Sequence, residues 1–339
     1  MADQRYLRLA LFGVGLALLV VVLGAFTRLV DAGLGCPDWP GCYGFLTVPS
    51  SETSLLAAEA RFPDAPVEAH KAWAEMIHRY FAGGLGLVIA ALAVVALIAR
   101  RRGDRGGALP TGLAVGLLVL VICQAAFGAW TVTLKLWPQV VTAHLLGGFA
   151  TLSLLWLMAL RLGLLERLRV PRALLPHALI ALVLLVLQIA LGGWVSSNYA
   201  ALACPDFPTC HGDWWPQMDL ARGFDVGQQV GPNYLGGQLE SDARVAIQFL
   251  HRLGAVAVLL VVGALAWRLW RAGSALALPV ALLLALQLTL GVLNVVLVLP
   301  LGIATAHNAG GALLLLSLVT VNYRAFRDEA RLVPAMESA

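Results

Sequence analysis

Eight apolar stretches, each long enough for the roughly 20-residue helix that crosses a bilayer, alternate with polar segments along the chain. They lie near residues 8–28, 77–99, 110–133, 140–160, 173–196, 247–267, 276–299 and 302–323. Backbone groups in hydrocarbon have no water to bind and must pair internally, so each run is expected to be a helix. The first run lacks an A-x-A-like cleavage site before Arg28 and precedes seven more, so it reads as a retained span rather than a signal peptide. Two long connections, about 29–74 and 198–245, are expected at one side of the membrane, with tight turns around Pro138 and Pro300. The pattern predicts an all-α polytopic membrane protein.

The same pattern repeats within the chain. Segment 24–44, GAFTRLVDAGLGCPDWPGCYG, aligns without gaps to 192–212, GGWVSSNYAALACPDFPTCHG, at an offset of 168. EMIHR at 75–79 aligns to QFLHR at 248–252, an offset of 173. QAAFGAWTVTLKLWPQVVTAHLLGG at 124–148 aligns to QLTLGVLNVVLVLPLGIATAHNAGG at 287–311, an offset of 163. Each half therefore supplies four helices, and four is even, so both halves enter the membrane in the same sense. Two four-helix bundles related by a pseudo-twofold axis along the membrane normal are expected. The halves fall at 1–166 and 173–339.

Composition agrees with this picture. Of 339 residues, 60% are hydrophobic and 12% charged, against roughly 45–50% and 25% in soluble domains. That balance excludes a water-soluble enzyme, a disordered chain and a nucleic-acid binder. The net charge of +4 is unevenly distributed. With the N-terminus inside, the inner segments hold 15 of the 23 basic residues and 6 of the 19 acidic ones, including Arg105 and Arg331. The outer segments hold the other 8 basic and 13 acidic residues. By the positive-inside rule both termini face the cytoplasm or matrix and the two long connections lie outside.

Four of the seven histidines occupy repeat-matched positions on helices: His78, His144, His251 and His307. The last three each precede an inner-side arginine by 17 residues, roughly 25 Å of helix, which sets them near the outer edge of the hydrocarbon core. Two imidazoles facing across a bundle suit axial ligation of a haem iron, and two such pairs imply two haem sites. Gly147 and Gly148, and likewise Gly310 and Gly311, share a helix face with His144 and His307. They allow a flat ligand to approach the backbone, although close helix packing is an equally physical use for them. Zinc fits less well, because two ligands per bundle fall short of the usual four. Arg28, Arg79 and Arg252 stand where they can pair with haem propionates or snorkel to the interface.

Cys36-Pro-Asp-Trp-Pro-Gly-Cys42 and Cys204-Pro-Asp-Phe-Pro-Thr-Cys210 share one spacing. On an oxidising outer side they read as short disulfide-closed loops over the bundles. Metal binding and thiol exchange remain open as other uses. Cys123 reads as an inert packing residue, and His70, His177 and His211 receive no role. The halves differ at Glu75, whose counterpart is Gln248. A carboxylate three residues before His78 can take a proton or stabilise positive charge, whereas an amide mainly positions. The first half is thus the candidate for chemistry. An interfacial ion pair with Arg79, one turn on, is the plainer reading of Glu75.

FTRLVDAGL at 26–34, E-x-x-H-R at 75–79, TAH-x-x-GG at 142–148, and the H-R and TAHNAGG of the second half together resemble the haem A synthases of the cytochrome oxidase assembly family. The resemblance covers nearly the whole chain. It implies oxidation of the C8 methyl of haem O to the formyl of haem A, a loss of four electrons. Substrate haem would be held by His78 and His144, and a haem b cofactor by His251 and His307, so that all four histidines ligate haem iron. Glu75 would be the essential carboxylate, and Cys36/Cys42 and Cys204/Cys210 the outer-loop cysteines. Haem O synthase, oxidase assembly factors and a second copy of the chain are candidate partners within the lipid bilayer, and nucleic acid is not. The absence of an Arg- and Ser-rich transit stretch favours the plasma membrane of a bacterium. The competing class is a di-haem b-type cytochrome carrying electrons to or from quinone, which leaves the Glu75/Gln248 difference without a purpose. A transporter or chaperone without haem is the third.

Overall fold

The structure, a computed structural model, describes residues 2–102 and 109–328. Among the described residues it is helical, with α1 (Ala2–Leu29), α2 (Glu52–Arg61), α3 (Ala69–Arg101), α4 (Thr111–Thr133), α5 (Pro138–Arg161), α6 (Leu175–Ser197), α7 (Leu220–Gly223), α8 (Ser241–Arg271), α9 (Ala277–Val296) and α10 (Leu301–Asp328). All but α2 and α7 are long and apolar enough to span a membrane, which gives the eight expected. Arg105 and Arg331, counted on the inner side, lie outside the described residues.

Helix boundaries depart from the apolar runs in both directions, α9 ending at Val296 rather than 299 while two helices start early. α3 begins at Ala69 rather than 77 and α8 at Ser241 rather than 247. The apolar run measures only the hydrocarbon crossing, while the helix continues outward through Ala69, Lys71, Ala72 and Ala74, residues with good helix propensity. The first long connection contains α2, started by a capping box: Ser51 Oγ accepts from Ser54 N, and Ser54 Oγ accepts from Ser51 N at 3.0 Å. The Ser-x-x-Ser pattern before an alanine-rich stretch was the available signal for it.

Within the first half, α1 packs on α3 and α5, and α4 packs on α3 and α5. In the second, α6 packs on α8 and α10, and α9 packs on α8 and α10. The halves meet where α10 touches α1 and α5, and where α5 touches α6. Lipid tails offer no hydrophobic incentive for helices to associate, so close backbone approach and internal hydrogen bonds must hold them together. Accordingly Ala10, Ala93, Ala96, Ala114, Ala178, Ala181 and Ala312 are wholly buried at the helix contacts. Trp156 Nε1 of α5 donates to Thr320 Oγ1 of α10 at 2.8 Å, joining the halves deep in the structure. Leu87, Leu187 and Leu260 project outward.

The duplication extends to the backbone. Non-glycine residues with positive φ cost steric strain and are uncommon. Here they recur at matched positions: Asp31 and Tyr199, Tyr43 and His211, Lys135 and Val298, Leu136 and Leu299. Three of these pairs end a helix or fix the turn that follows it, so the two halves turn their chain in the same way at the same places.

Candidate functional site

Each of the four matched histidines packs its ring against a glycine on the preceding membrane helix. A β-carbon added at Gly24 would stand 3.0 Å from His78 Cε1, one at Gly128 3.4 Å from His144 Cε1, one at Gly192 3.3 Å from His251 Cε1, and one at Gly291 3.2 Å from His307 Cε1. Gly24 and Gly192 are repeat partners, as are Gly128 and Gly291, so one notch-and-ring contact occurs four times. His78 lies within electrostatic reach of His144, and His251 within reach of His307. The structure thus brings together the expected pairs, one in each half.

These residues are half-buried, and buried ring nitrogens on three of them lack a hydrogen bond. Nδ1 of His78, His144 and His307 has no partner, a costly state for a buried polar atom. Among the described residues no cluster of three or more His, Cys, Asp or Glu forms a conventional metal site. Two neighbouring imidazoles per half, with Nδ1 unmet on three of the four rings, are a donor set that fits the two-histidine ligation of a haem.

The glycines beyond the histidines are engaged differently from the expectation. Glutamine side chains lie over them: Gln124 against Gly147, Gln188 against Gly254 and Gln287 against Gly310. Gln188 Nε2 sits 3.1 Å from His251 Nδ1 and donates to the His251 carbonyl at 2.9 Å. Gln287 Nε2 lies 3.3 Å from His307 Nε2. The sequence reading passed over these glutamines, although a polar residue inside a membrane run is itself a functional signal.

The cysteines form disulfides, Cys36–Cys42 and Cys204–Cys210, which removes metal binding by these thiols. Both loops are built alike. Asp38 accepts from Tyr43 N at 2.6 Å and Gly44 N at 2.7 Å. Asp206 accepts from His211 N at 2.6 Å and Gly212 N at 3.0 Å. The arginines after the helix-two histidines hold these loops down. Arg79 donates to the carbonyls of Asp38 (3.0 Å) and Gly41. Arg252 donates to those of Cys204 and Thr209, both at 2.7 Å. Arg28 donates to Ser196 O at 2.6 Å, at the seam between the halves. These three arginines bind backbone carbonyls, an engagement that neither the propionate nor the snorkelling reading included.

Glu75 is 5% exposed. Its Oε2 accepts from Cys36 N at 2.8 Å and its Oε1 pairs with Arg79. It therefore ties the first disulfide loop to α3, and the plainer ion pair foreseen for it does form. Gln248 is equally buried, but its Oε1 has no partner. Cys123 corrects an expectation: it is exposed on α4, not packed. His177 gains a structural place, with Nε2 2.9 Å from Val261 O and Nδ1 3.1 Å from Arg268. His211 Nε2 lies 2.9 Å from Ala203 O, and His70 is exposed.

The second long connection crosses to the first half. Trp137 Nε1 and Gln139 Nε2, at the start of α5, donate to Gln228 O and Val226 O, both at 2.9 Å. Tyr234 N donates to Lys135 O at 3.0 Å. No motif in 212–244 announced this bridge.

Residues 7–319 match the family model described as Cytochrome oxidase assembly protein, COX15-CtaA. A haem A synthase of Shewanella oneidensis is 47% identical over 318 residues, covering 90% of this chain and 92% of that one. A haem A synthase of Rhodospirillum centenum is 31% identical, covering 90% and 84%, and one of Caulobacter vibrioides is 30% identical, covering 87% and 89%. The duplicated helices, matched histidines and paired disulfide loops thus sit in a chain that belongs to the COX15-CtaA cytochrome oxidase assembly protein family.

Proposed function

We propose that this chain is a haem A synthase, a membrane oxidoreductase that converts the C8 methyl of haem O to the formyl of haem A. The reading rests above all on the two repeat-related histidine pairs, each ring set against a glycine notch. Its relatives carry the same name at up to 47% identity among those given above.

The two halves, 1–166 and 173–339, are read as four-helix bundles with divided labour. In the first, His78 and His144 hold the substrate haem O. In the second, His251 and His307 hold a haem b, which supplies electron transfer when bound. Glu75 separates the roles, because its counterpart Gln248 has the shape without the charge. Held between Arg79 and Cys36 N, the Glu75 carboxylate is a fixed negative charge one turn from His78. Such a charge stabilises positive charge developing on the substrate in a water-poor site, or accepts its proton. The disulfide loops act as lids pinned by Arg79 and Arg252. The arginine asymmetry supports a bacterial plasma-membrane protein with both termini cytoplasmic and the cysteine loops outside. Haem O synthase and oxidase assembly factors are the partners this role calls for.

Co-expression with a haem O source, followed by acid extraction of haem, tests the reading. Appearance of formyl haem is expected. Haem O recovered unchanged from a protein containing two haems would instead identify an electron-carrying cytochrome, and a colourless protein would remove haem from the function altogether.

A further inference from the structure

Three of the four histidines share a feature the fourth lacks. Three residues beyond His144, His251 and His307 stands a glycine, and over it lies a glutamine amide from the neighbouring helix: Gln124, Gln188 and Gln287. At the position equivalent to Gln188 the first half has Val20, and at that equivalent to Gly254 it has Phe81. His78 keeps its Gly24 notch but lacks both the glycine three residues on and the amide that lies over it. Its Nδ1 is unpartnered, and the polar group it meets on α1 is the Val20 backbone, which any residue would supply. His251, its repeat partner, has Gln188 bound to both its ring and its carbonyl.

We infer that His78 is the releasable histidine of the four, and that Gln188 is a positioning residue that fixes its counterpart His251. This rests on the assignment of the histidine pairs to two haems. The physical argument concerns what an outer partner does to an axial imidazole. A hydrogen-bonded amide fixes ring orientation, and loss of such a partner typically weakens ligation about 10–100-fold. An imidazole without one rotates away at lower cost. The difference matches the demands on the two halves, since a substrate must arrive, react and depart, whereas a cofactor must stay. His251 and His307 each have a ring nitrogen within hydrogen-bond reach of a glutamine. His144 has Gln124 alongside but no bond to its ring, and His78 has no glutamine at all, which places that exchange in the first bundle, on its α3 side, beneath the loop that Glu75 holds.

Carbon monoxide is the probe, because it binds reduced haem iron only where an axial ligand lets go. Purified protein carrying both haems is reduced and exposed to carbon monoxide, and the absorbance change is followed in time. One haem is expected to react, and to persist as the reactive one in His307→Ala, which removes the second-half haem. Gln188→Val is expected to open the second haem, raising its carbon monoxide binding rate by roughly tenfold or more. Val20→Gln/Phe81→Gly, which rebuilds the missing arrangement, is expected to slow the first haem by a similar factor. Equal reaction of both haems in the unaltered protein would overturn the inference. So would a Gln188→Val protein that keeps both haems and its original rates. Failure of the functional reading shows separately, as absence of haem A from the acid extract, since the carbon monoxide assay requires two bound haems and no turnover.

Discussion

Asp31 and Tyr199 occupy the same position in the two repeats and are hydrogen-bonded to each other, Tyr199 Oη donating to Asp31 Oδ1 at 2.9 Å. Equivalent residues of a duplicated chain can touch only near the line about which the copies are arranged. A second equivalent pair meets beside them, Arg28 donating to the carbonyl of Ser196. The Arg28 guanidinium also lies 4.0 Å from the Tyr199 ring centre. The outer seam between the halves is thus closed by residues facing their own counterparts, which supports the reading of two bundles about a pseudo-twofold axis.

Tyr199→Phe keeps the ring under Arg28 and deletes only the hydroxyl. The expected cost is about 0.5–1.5 kcal/mol, that of one hydrogen bond, seen as a lower thermal midpoint in detergent. Asp31→Ala in the same background should add little through this contact, because its partner is already gone. A fully additive double variant would show that the bond carries no coupling across the seam.

Glu75→Gln separates charge from tether. The amide oxygen can still accept from Cys36 N, so the loop and both haems should remain. Haem A formation should fall by roughly 10²-fold or more, in line with losing a positioned acid–base or charge-stabilising group. Haem analysis of the purified variant reads both quantities. A variant that converts haem O at the original rate would leave Glu75 a tether and nothing more.

The glycine notches predict a graded response. Gly291→Ala sets a β-carbon 3.2 Å from His307 Cε1, which a shift of a few tenths of an ångström relieves. Gly291→Leu has no such escape and should displace the ring, with selective loss of haem b and retention of the first-half haem. Pyridine haemochrome quantitation distinguishes the two. Equal loss from both halves would mean that the notch serves general packing.

The spans, the duplication and the histidine pairs were legible because each is encoded locally: apolar length, aligned segments, a polar residue in a hydrophobic run. The cysteine pairing was legible for the same reason. What escaped the sequence depends on which side chains meet across helices. Arg79 and Arg252 were visible as cations beside histidines, but their acceptors are carbonyls of Asp38, Gly41, Cys204 and Thr209, and every residue carries a carbonyl. Gly147 and Gly310 announced close approach without saying that Gln124 and Gln287 make it. The crossing of the second connection onto Trp137 and Gln139 uses Gln228 and Val226 backbone oxygens, again without a side-chain signature.

The second disulfide loop carries a pH dependence whose sign follows from Asp206. The Thr209 hydroxyl first, then the Gly212 and His211 N–H groups, hold its carboxyl well below the usual carboxylate range. These donors favour the charged form. A carboxyl with a depressed folded pKa stabilises its structure above the unfolded value, near 3.9, and loses that contribution only as pH falls towards the folded one. Amide hydrogen exchange at His211 and Gly212, corrected for the intrinsic pH dependence, should therefore show constant protection from neutral pH down to about 3.9, with loss only in stronger acid. Asp206→Asn, which cannot titrate, should show lower protection at neutral pH and no acid transition. A midpoint at or above the ordinary carboxylate value in the unaltered protein would mean that the three donors do not hold Asp206 in solution, and that the disulfide and Arg252 alone shape the loop.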